Sequence, residues 1–164
     1  MLEPRVAVDF GSASGELRAL TEPLLQQLRA DHEVAAALCR KVGLRSCKEL
    51  REEKGLSLPN HHLTETDMAT LGTLGSVLPA LQTLNIYTNS AGPDGVQRLA
   101  EGLGAGALPA VRSLTLSSMH VGTVGASVLA AALGRGALPR LEFLNLSDAA
   151  IGDAGLVALA PALR

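Results

Sequence analysis

The sequence predicts an α/β fold, a short right-handed solenoid in which parallel strands line a concave side and helices line a convex side. Two observations lead to this prediction. Apolar residues recur in register every 30 residues from Leu78 onward, and each interval contains a strand-like alternation followed by a helical spacing. Strands lie about 4.8 Å apart whereas helices pack about 8 to 10 Å apart, so a stack of such units has to curve into a short horseshoe arc.

The repeat is clearest in the C-terminal part of the chain. Its columns are Leu81, Val111 and Leu141; Leu84, Leu114 and Leu144; Ile86, Leu116 and Leu146; Gly95, Gly125 and Gly155; and Leu99, Leu129 and Leu159. A weaker copy, displaced by 28 residues, precedes them. We therefore divide this region into one degenerate unit and three clear units, at about 55–77, then 78–107, 108–137 and 138–164.

The first clear unit shows how each repeat is built. In LQTLNIY, Leu84 and Ile86 alternate with polar residues, so one set of side chains points inward and the other outward. In VQRLAEGL, Val96, Leu99 and Leu103 fall on one face of a helix. Each unit is therefore strand, loop, helix and loop. No unit can bury its apolar face alone, so successive units must stack.

The pattern LxxLxLxxN, followed by an apolar position, a glycine and a helix, resembles the leucine-rich repeat of the ribonuclease-inhibitor type. The resemblance covers residues 55–164. It implies that the asparagine of each unit bonds backbone groups of its own turn and of the neighbouring turn.

The asparagine position is where this chain departs from that pattern. Asn89 keeps the residue, whereas Met119 and Ala149 replace it, and His61 stands there in the degenerate unit. Methionine and alanine cannot supply the amide hydrogen bonds, and each unpaired buried backbone group costs about 1 to 3 kcal/mol. We therefore expect looser loops around Met119 and Ala149. Pro161 is expected to bend the last helix, because proline removes a backbone hydrogen bond.

Residues 1–54 lack the repeat and carry more charge. We expect three short helices there: one starting at Pro23, a second ending at Gly43, and a third opened by a capping box of Ser46 and Glu49. These helices would form a cap over the apolar edge of the first unit. The alternative is a free-standing helical adaptor module of the sterile-alpha-motif kind.

The N-terminal stretch VAVDFGSASG resembles the first phosphate-binding hairpin of the actin-like sugar kinases and heat-shock ATPases. That resemblance implies that Asp9 and Gly11 approach a nucleotide's phosphates and metal. The remaining contacts would need a two-lobed enzyme far longer than 164 residues. We favour the alternative, a short strand and a turn, with Ser14 capping a helix. No cofactor is expected.

A zinc site is suggested by Cys39, Cys47, His61, His62 and Asp67. Structural zinc sites favour cysteines two to four residues apart, whereas these two are separated by seven. The first of them also falls in an apolar helical run, where cysteine acts as a small core residue. We therefore expect no metal.

Catalytic chemistry has little support in the sequence. No serine has a recognisable base and orienting acid, and His120 follows a strand without a paired carboxylate. We therefore expect no catalytic residues, and a protein that is not an enzyme.

Composition narrows the classes of partner. A net charge of −2 offers no basic surface for nucleic acid or for an anionic membrane, and 2% aromatic residues leave few platforms for stacking bases. Two cysteines are too few for a disulfide framework. No apolar stretch reaches membrane-spanning length, so we expect a cytoplasmic protein, with a nuclear location also consistent.

The outward strand positions form the candidate binding face. They are Thr83, Asn85 and Tyr87; Ser113, Thr115 and Ser117; Phe143, Asn145 and Ser147; and, in the degenerate unit, Ser57 and Pro59. Exposed aromatic residues among small polar ones favour protein binding, because they bring a large contact area with little rotamer entropy. The alternative is that Phe143 packs against its neighbouring unit and Tyr87 is a tolerated strand former.

These features favour a non-enzymatic interaction module that binds a protein through the concave face or through an open C-terminal edge around Leu146, Leu156 and Leu163. The edge could instead mediate self-association or continue into further repeats, as in a fragment of a longer leucine-rich-repeat receptor or scaffold. A second class is regulation of a small GTPase, since the repeat is similar to that of the Ran GTPase-activating proteins, although their active loop residues have no match here.

Overall fold

The computed structural model describes residues 15–163, with side chains from residue 21 onward. The phosphate-loop and strand–turn interpretations of residues 6–14 lie outside the described residues. The elements are α1 (Gly15–Lys41), α2 (Cys47–Glu52), β1 (Gly55–Pro59), α3 (Glu65–Leu74), β2 (Thr83–Tyr87), α4 (Gly92–Gly102), β3 (Ser113–Thr115), α5 (Gly122–Gly134), β4 (Phe143–Asn145) and α6 (Gly152–Leu159). Short 3-10 helices follow α3 and α6, at Gly75–Val77 and Ala160–Leu163.

The strands form one parallel sheet of four, in chain order. Leu56, Leu84, Leu114 and Leu144 lie opposite one another across it. This register confirms that the repeat columns read from the sequence meet in adjacent parallel strands. A helix connects each strand to the next, as parallel connections require.

Inward and outward strand positions differ in burial as predicted. Leu84 and Ile86 are fully buried in β2, and Leu114 is 1% exposed in β3, whereas their polar neighbours are partly exposed. The buried residues form one cluster that runs from Leu38 to Leu159 and, within the described residues, contains no aromatic side chain. The core therefore consists mainly of leucine and alanine, with valine, methionine, Ile86 and Cys39.

The glycine column marks the places where successive helices approach one another. A Cβ built on Gly95 would lie 3.3 Å from the Met68 side chain of the preceding helix, and one built on Gly155 would lie 3.1 Å from Ala126 Cβ. Both are closer than ordinary contacts between carbon atoms. Glycine at this position therefore lets the helices pack side by side.

The closest approach joins α3 and α4. A Cβ on Gly72 would lie 2.5 Å from the Leu99 carbonyl oxygen, and one on Gly102 would lie 2.9 Å from the carbonyl carbon of Gly72. Here two helical backbones touch, because neither glycine carries a side chain.

The N-terminal helices differ from the expectation. α1 is one continuous helix with Pro23 inside it, so the predicted helix start at Pro23 and the break before a second helix are wrong. The stretch around Asp31 supplies no glycine or proline to end the first helix, and the side-chain amide of Gln27 bonds Asp31 one turn further on (2.8 Å).

The end of α1 agrees with the sequence. Gly43 has φ +81°, and its N–H bonds the Arg40 carbonyl at 3.2 Å while the Leu44 N–H bonds the Cys39 carbonyl at 2.8 Å. These two bonds form a Schellman motif, in which glycine adopts the left-handed conformation without steric cost.

Only one of the two hydrogen bonds of the capping box predicted at the start of α2 is present. The Ser46 hydroxyl accepts the Glu49 N–H at 3.2 Å, but the Glu49 carboxylate accepts the N–H of Arg45 (2.7 Å) rather than that of Ser46. The serine cap is confirmed, whereas the full capping box is not formed.

The C-terminal half of α1 packs against the core. Ala35, Leu38, Cys39 and, in α2, Leu50 are all buried. Earlier in α1 the apolar side chains are exposed, and Leu24 is 61% exposed. Across residues 15–163, no helix has both the length and the apolar character needed to span a bilayer.

The last helix ends before its proline. α6 stops at Leu159, and Pro161 lies in the 3-10 segment that follows. The prediction that Pro161 sits inside the last helix is therefore wrong in position. Its physical basis is the same, since Pro161 has no N–H to donate to the Val157 carbonyl and the α-helical pattern cannot continue.

Candidate functional site

The outer face of the sheet gathers the residues predicted from the alternation. The row at the start of the strands contains Thr83, Ser113 and Phe143 in register, and the next row contains Asn85, Thr115 and Asn145. Tyr87 ends β2 opposite Pro59, while Ser117 and Ser147 follow the ends of β3 and β4. All of these side chains lie at least partly exposed.

The two aromatic side chains of this face differ in exposure. Phe143 is 57% exposed, so the alternative in which it packs against its neighbouring unit is wrong. Tyr87 is partly exposed. The ring of Phe143 is thus the most exposed aromatic group on a face that otherwise consists mostly of hydroxyls and amides.

Asn145 is held in place by the loop that follows its strand. Its Oδ1 accepts the Ser147 N–H at 2.9 Å and the Ser147 hydroxyl at 2.6 Å. Both side chains belong to the predicted face, and their mutual bonds orient the amide before any ligand arrives. A side chain fixed in advance loses less rotamer entropy on binding.

Charged residues border the face at the beginning of the strands. Arg112 precedes β3 and forms an ion pair with Glu142, which precedes β4. Both side chains are more than half exposed, so the pair contributes little to stability. It gives this edge of the face a polar rim of the kind that surrounds protein interfaces.

The opposite border is formed by turns in the left-handed conformation. Thr88, Ser118 and Asp148 follow β2, β3 and β4 and have φ of 54°, 53° and 54°. Non-glycine residues adopt this conformation at a cost of about 1 kcal/mol or more. The backbone N–H of Ser118 bonds the Ser147 carbonyl (2.9 Å), so successive turns continue the sheet's hydrogen-bond ladder.

Asn89 joins the first two units as the resemblance implied. Its Nδ2 donates to the carbonyls of Leu58 (2.7 Å) and Tyr87 (3.0 Å), and its Oδ1 accepts the Leu63 N–H (3.1 Å). His61 makes the corresponding local contact in the degenerate unit, with Nδ1 at 2.8 Å from the Pro59 carbonyl. A carbonyl only accepts, so this contact requires the proton on Nδ1.

The two departures from asparagine are filled by apolar side chains. Met119 is fully buried and Ala149 is 2% exposed. The Gly122 N–H donates to the Ala149 carbonyl at 3.0 Å, so the backbones of these two loops are hydrogen-bonded directly, without a side-chain amide between them. Looser loops at these positions stay a prediction, which amide hydrogen exchange of Met119 against Asn89 would test.

The open C-terminal edge is apolar. Leu156 and Leu163 are 56% and 54% exposed, and Leu146 is partly buried. A groove of about 580 Å³ lies along it beside β4, the last strand of the described sheet, and the repeat periodicity did not reveal it. Its apolar lining includes Leu133, Leu138, Leu141, Phe143, Leu144 and Leu163.

Phe143 belongs to both surfaces. It lies in the outer row of the sheet face and also lines the groove. The face and the edge predicted separately from the sequence therefore meet at one aromatic side chain.

The residues proposed for zinc are not gathered into one site. Cys39 and Cys47 lie together, with 3.6 Å between their sulfur atoms, but Asp67 bonds Lys41 and Thr64, and His61 bonds a backbone carbonyl. Within residues 15–163, no group of three or more histidine, cysteine or acidic side chains could hold a metal ion.

Asp67 has a perturbed ionisation. Burial alone would raise the pKa of its carboxyl, but the bond from the Lys41 ammonium and those from Thr64 outweigh it and lower the pKa from its ordinary value. The carboxylate completes a capping box with Thr64 at the start of α3. It therefore links α1 to α3 and belongs to the fold rather than to a reactive site.

Sequence reasoning missed the exposed apolar positions of α1. Leu24 and Leu28 are 61% and 53% exposed, one helical turn apart. Their spacing is visible in the sequence, but it is the same spacing that a buried helix shows. The fact that only the C-terminal half of α1 packs on the core is visible only in the structure.

No protein-family model matches the chain, and no curated protein matches it.

Proposed function

We propose that this chain is a non-enzymatic protein-interaction module, a leucine-rich-repeat solenoid of the ribonuclease-inhibitor type that binds a protein partner around Phe143. The observation that carries the proposal is the 57% exposure of that ring on a face of mostly small polar side chains, next to a groove along the C-terminal edge. An exposed aromatic beside a pocket is the kind of residue that dominates binding energy in interfaces.

The solenoid is supported by the order of the contacts. Strands pair only with their chain neighbours, and the main helix contacts are α3 with α4, α4 with α5, and α5 with α6. Nearest-neighbour contact is the mark of a repeat architecture. The region 1–54 acts in this proposal as the N-terminal cap of the solenoid 55–164, because its described helices share the core of the first unit.

The size of the face indicates how a partner would bind. Two strands of five residues and two of three, spaced about 4.8 Å apart with about 3.3 Å per residue, give a projected area of roughly 250 Å². A standard interface takes about 800 Å² from each partner. The sheet face is therefore too small by itself, and we propose that a partner covers the face and the C-terminal groove together, with Phe143 near the centre.

The proposed location is the cytoplasm or nucleus, where free thiols persist. Both cysteines are free. The proposed partner is a protein rather than a nucleic acid or membrane, and no cofactor is required.

Affinity capture with mass spectrometry tests the proposal. We expect the intact chain to retain a protein partner that Phe143→Ala loses and that Tyr87→Ala binds more weakly, with little change in melting temperature for either variant. Val124→Ala is the matched control, because Val124 is 59% exposed but lies in α5 rather than in the sheet. Loss of the partner in the control alone, or equal retention by all variants, would contradict the proposed site.

A further inference from the structure

The two cysteines form a dithiol that neither the interaction surface nor a metal site uses. Cys39 lies in the last turn of α1 and Cys47 is the first residue of α2, and the Cys39 thiol donates to Cys47 Sγ with 3.6 Å between the sulfurs. Both thiols are free. The Schellman turn at Gly43 fixes the path of the chain between them, so the backbone itself brings the sulfurs together.

The two thiols differ in access. Cys39 is 1% exposed and belongs to the core cluster, whereas Cys47 is partly exposed. Burial, followed by the hydrogen bond to Cys47, raises the pKa of the Cys39 thiol to about 12. A dissolved oxidant therefore meets Cys47 first, and Cys39 remains a protonated thiol behind it.

We propose that Cys47 and Cys39 are a peroxide-oxidised modification site that closes into a reversible intramolecular disulfide. In the first step the Cys47 thiolate attacks hydrogen peroxide, so that an S–O bond forms, the O–O bond breaks, and hydroxide leaves and is protonated to water. In the second step Cys39 gives up its proton and its thiolate attacks Cys47 Sγ, so that the S–S bond forms, the S–O bond breaks, and the departing hydroxide takes up that proton as water. Two thiols and one peroxide thus give one disulfide and two waters.

The geometry permits the closure. A disulfide needs sulfurs about 2.05 Å apart, so the two atoms must approach by about 1.5 Å. The approach has to come from the segment Gly43 to Ser46 between the two cysteines, which belongs to no helix or strand. The bond would tie the end of α1 to the start of α2 and so lock the helices that pack against the first unit.

Peroxide treatment of the reduced full chain tests the proposal. We expect the folded protein to lose two hydrogens in mass and both free thiols together, to yield a cross-linked peptide spanning 39–47, and to recover its mass with dithiothreitol. Before oxidation, iodoacetamide should label Cys47 at least about tenfold faster than Cys39.

Variants separate the two steps. In Cys39→Ala, a small replacement for a buried cysteine, Cys47 should form a sulfenic acid that dimedone traps, and no disulfide. In Cys47→Ser, Cys39 should resist peroxide for as long as circular dichroism shows the chain to be folded. The proposal is overturned if the wild-type chain accumulates sulfinic acid at Cys47 while Cys39 stays reduced, or if it forms only disulfides between chains. The wild-type result tests the disulfide proposal even where a variant fails to fold. The disulfide proposal does not depend on the protein partner proposed above.

Discussion

Replacing Leu114 by alanine probes the stacked core at its centre. Leu114 is 1% exposed and lies between Leu84, which is fully buried, and Leu144, which is partly buried. Strand hydrogen bonds hold the walls on both sides, so the space left by the lost side chain cannot collapse. Leucine-to-alanine changes in cores cost about 2 to 5 kcal/mol, with larger values where a cavity persists. We expect about 3 to 5 kcal/mol for this residue.

The matched control is Leu144→Ala, which changes the same column one strand further on. Leu144 lines the open groove and has a strand on one side only. Leu144 is only partly buried, so its truncation should cost less, about 1 to 2 kcal/mol. The same leucine-to-alanine change is thus compared between an enclosed position in a central strand and a position in the outermost described strand.

Urea unfolding followed by circular dichroism at 222 nm gives the free energy of unfolding of both variants. We expect the two to share the wild-type m-value and to differ in midpoint, with Leu114→Ala lower. Total stability for a domain of this size is about 5 to 15 kcal/mol, so the larger loss is readily measured. If Leu144→Ala costs as much as Leu114→Ala, the reasoning from an enclosed central strand and an open edge is wrong.

Three further changes test other parts of the fold. Asn89→Ala should cost about 2 to 4 kcal/mol in urea unfolding, because it leaves the buried Leu63 N–H without its acceptor and removes the side-chain donor to the Leu58 carbonyl, while the Tyr87 carbonyl keeps the Asn60 N–H. Met119→Ala, at the same position of the next unit, should leave hydrogen exchange around Asn89 unchanged. Gly72→Ala should lower the melting temperature by more than Gly104→Ala, since its Cβ would meet a carbonyl oxygen at 2.5 Å whereas position 104 is open. Asp67→Asn should cost of order 1 kcal/mol at pH 7. The folded-state pKa of Asp67 lies below its ordinary 3.8, so its contribution is present above that pH and is lost as the pH falls through the folded value. The free energies of unfolding of wild type and Asp67→Asn should therefore converge as the pH is lowered. A difference between them that stays constant down to about pH 2 would contradict the proposed role of the Lys41–Asp67 ion pair.

The sheet could be predicted from the sequence because the same pattern of apolar positions occurs in each of the three clear units. Each of the columns headed by Leu81, Leu84 and Ile86 recurs three times at a fixed spacing, so chance matches are averaged out. Alternation with period two then fixes which side chains face outward, since a slip by one residue would bury the polar set. The facing of Tyr87 and Phe143 followed from that rule.

The N-terminal helices were harder to predict because their signals are local and single. Pro23 suits a helix start, but it also fits inside a helix when packing further along the chain holds the rest in place. The Cys39–Cys47 contact depends on the angle between α1 and α2, which a spacing of seven residues does not fix.

The sequence predicted which side chains of the candidate site face outward, but it did not predict the groove beside them. The groove beside Phe143 depends on the 3-10 turn that brings Leu163 back toward β4, and the sequence showed only a proline at that point. The exposure of an outward side chain depends on the residues beside it on adjacent strands, and the sequence of one strand does not reveal which residues these are.

The fixed length of the units has a consequence for how such a chain can change. Each unit touches chiefly the one before and the one after it, and the clear units begin 30 residues apart. Duplicating one of them would widen the sheet by a single increment of about 4.8 Å and leave every other pairing as it is. The outer face of the sheet can therefore widen by duplication of a gene segment, while the packing of the existing core stays unchanged.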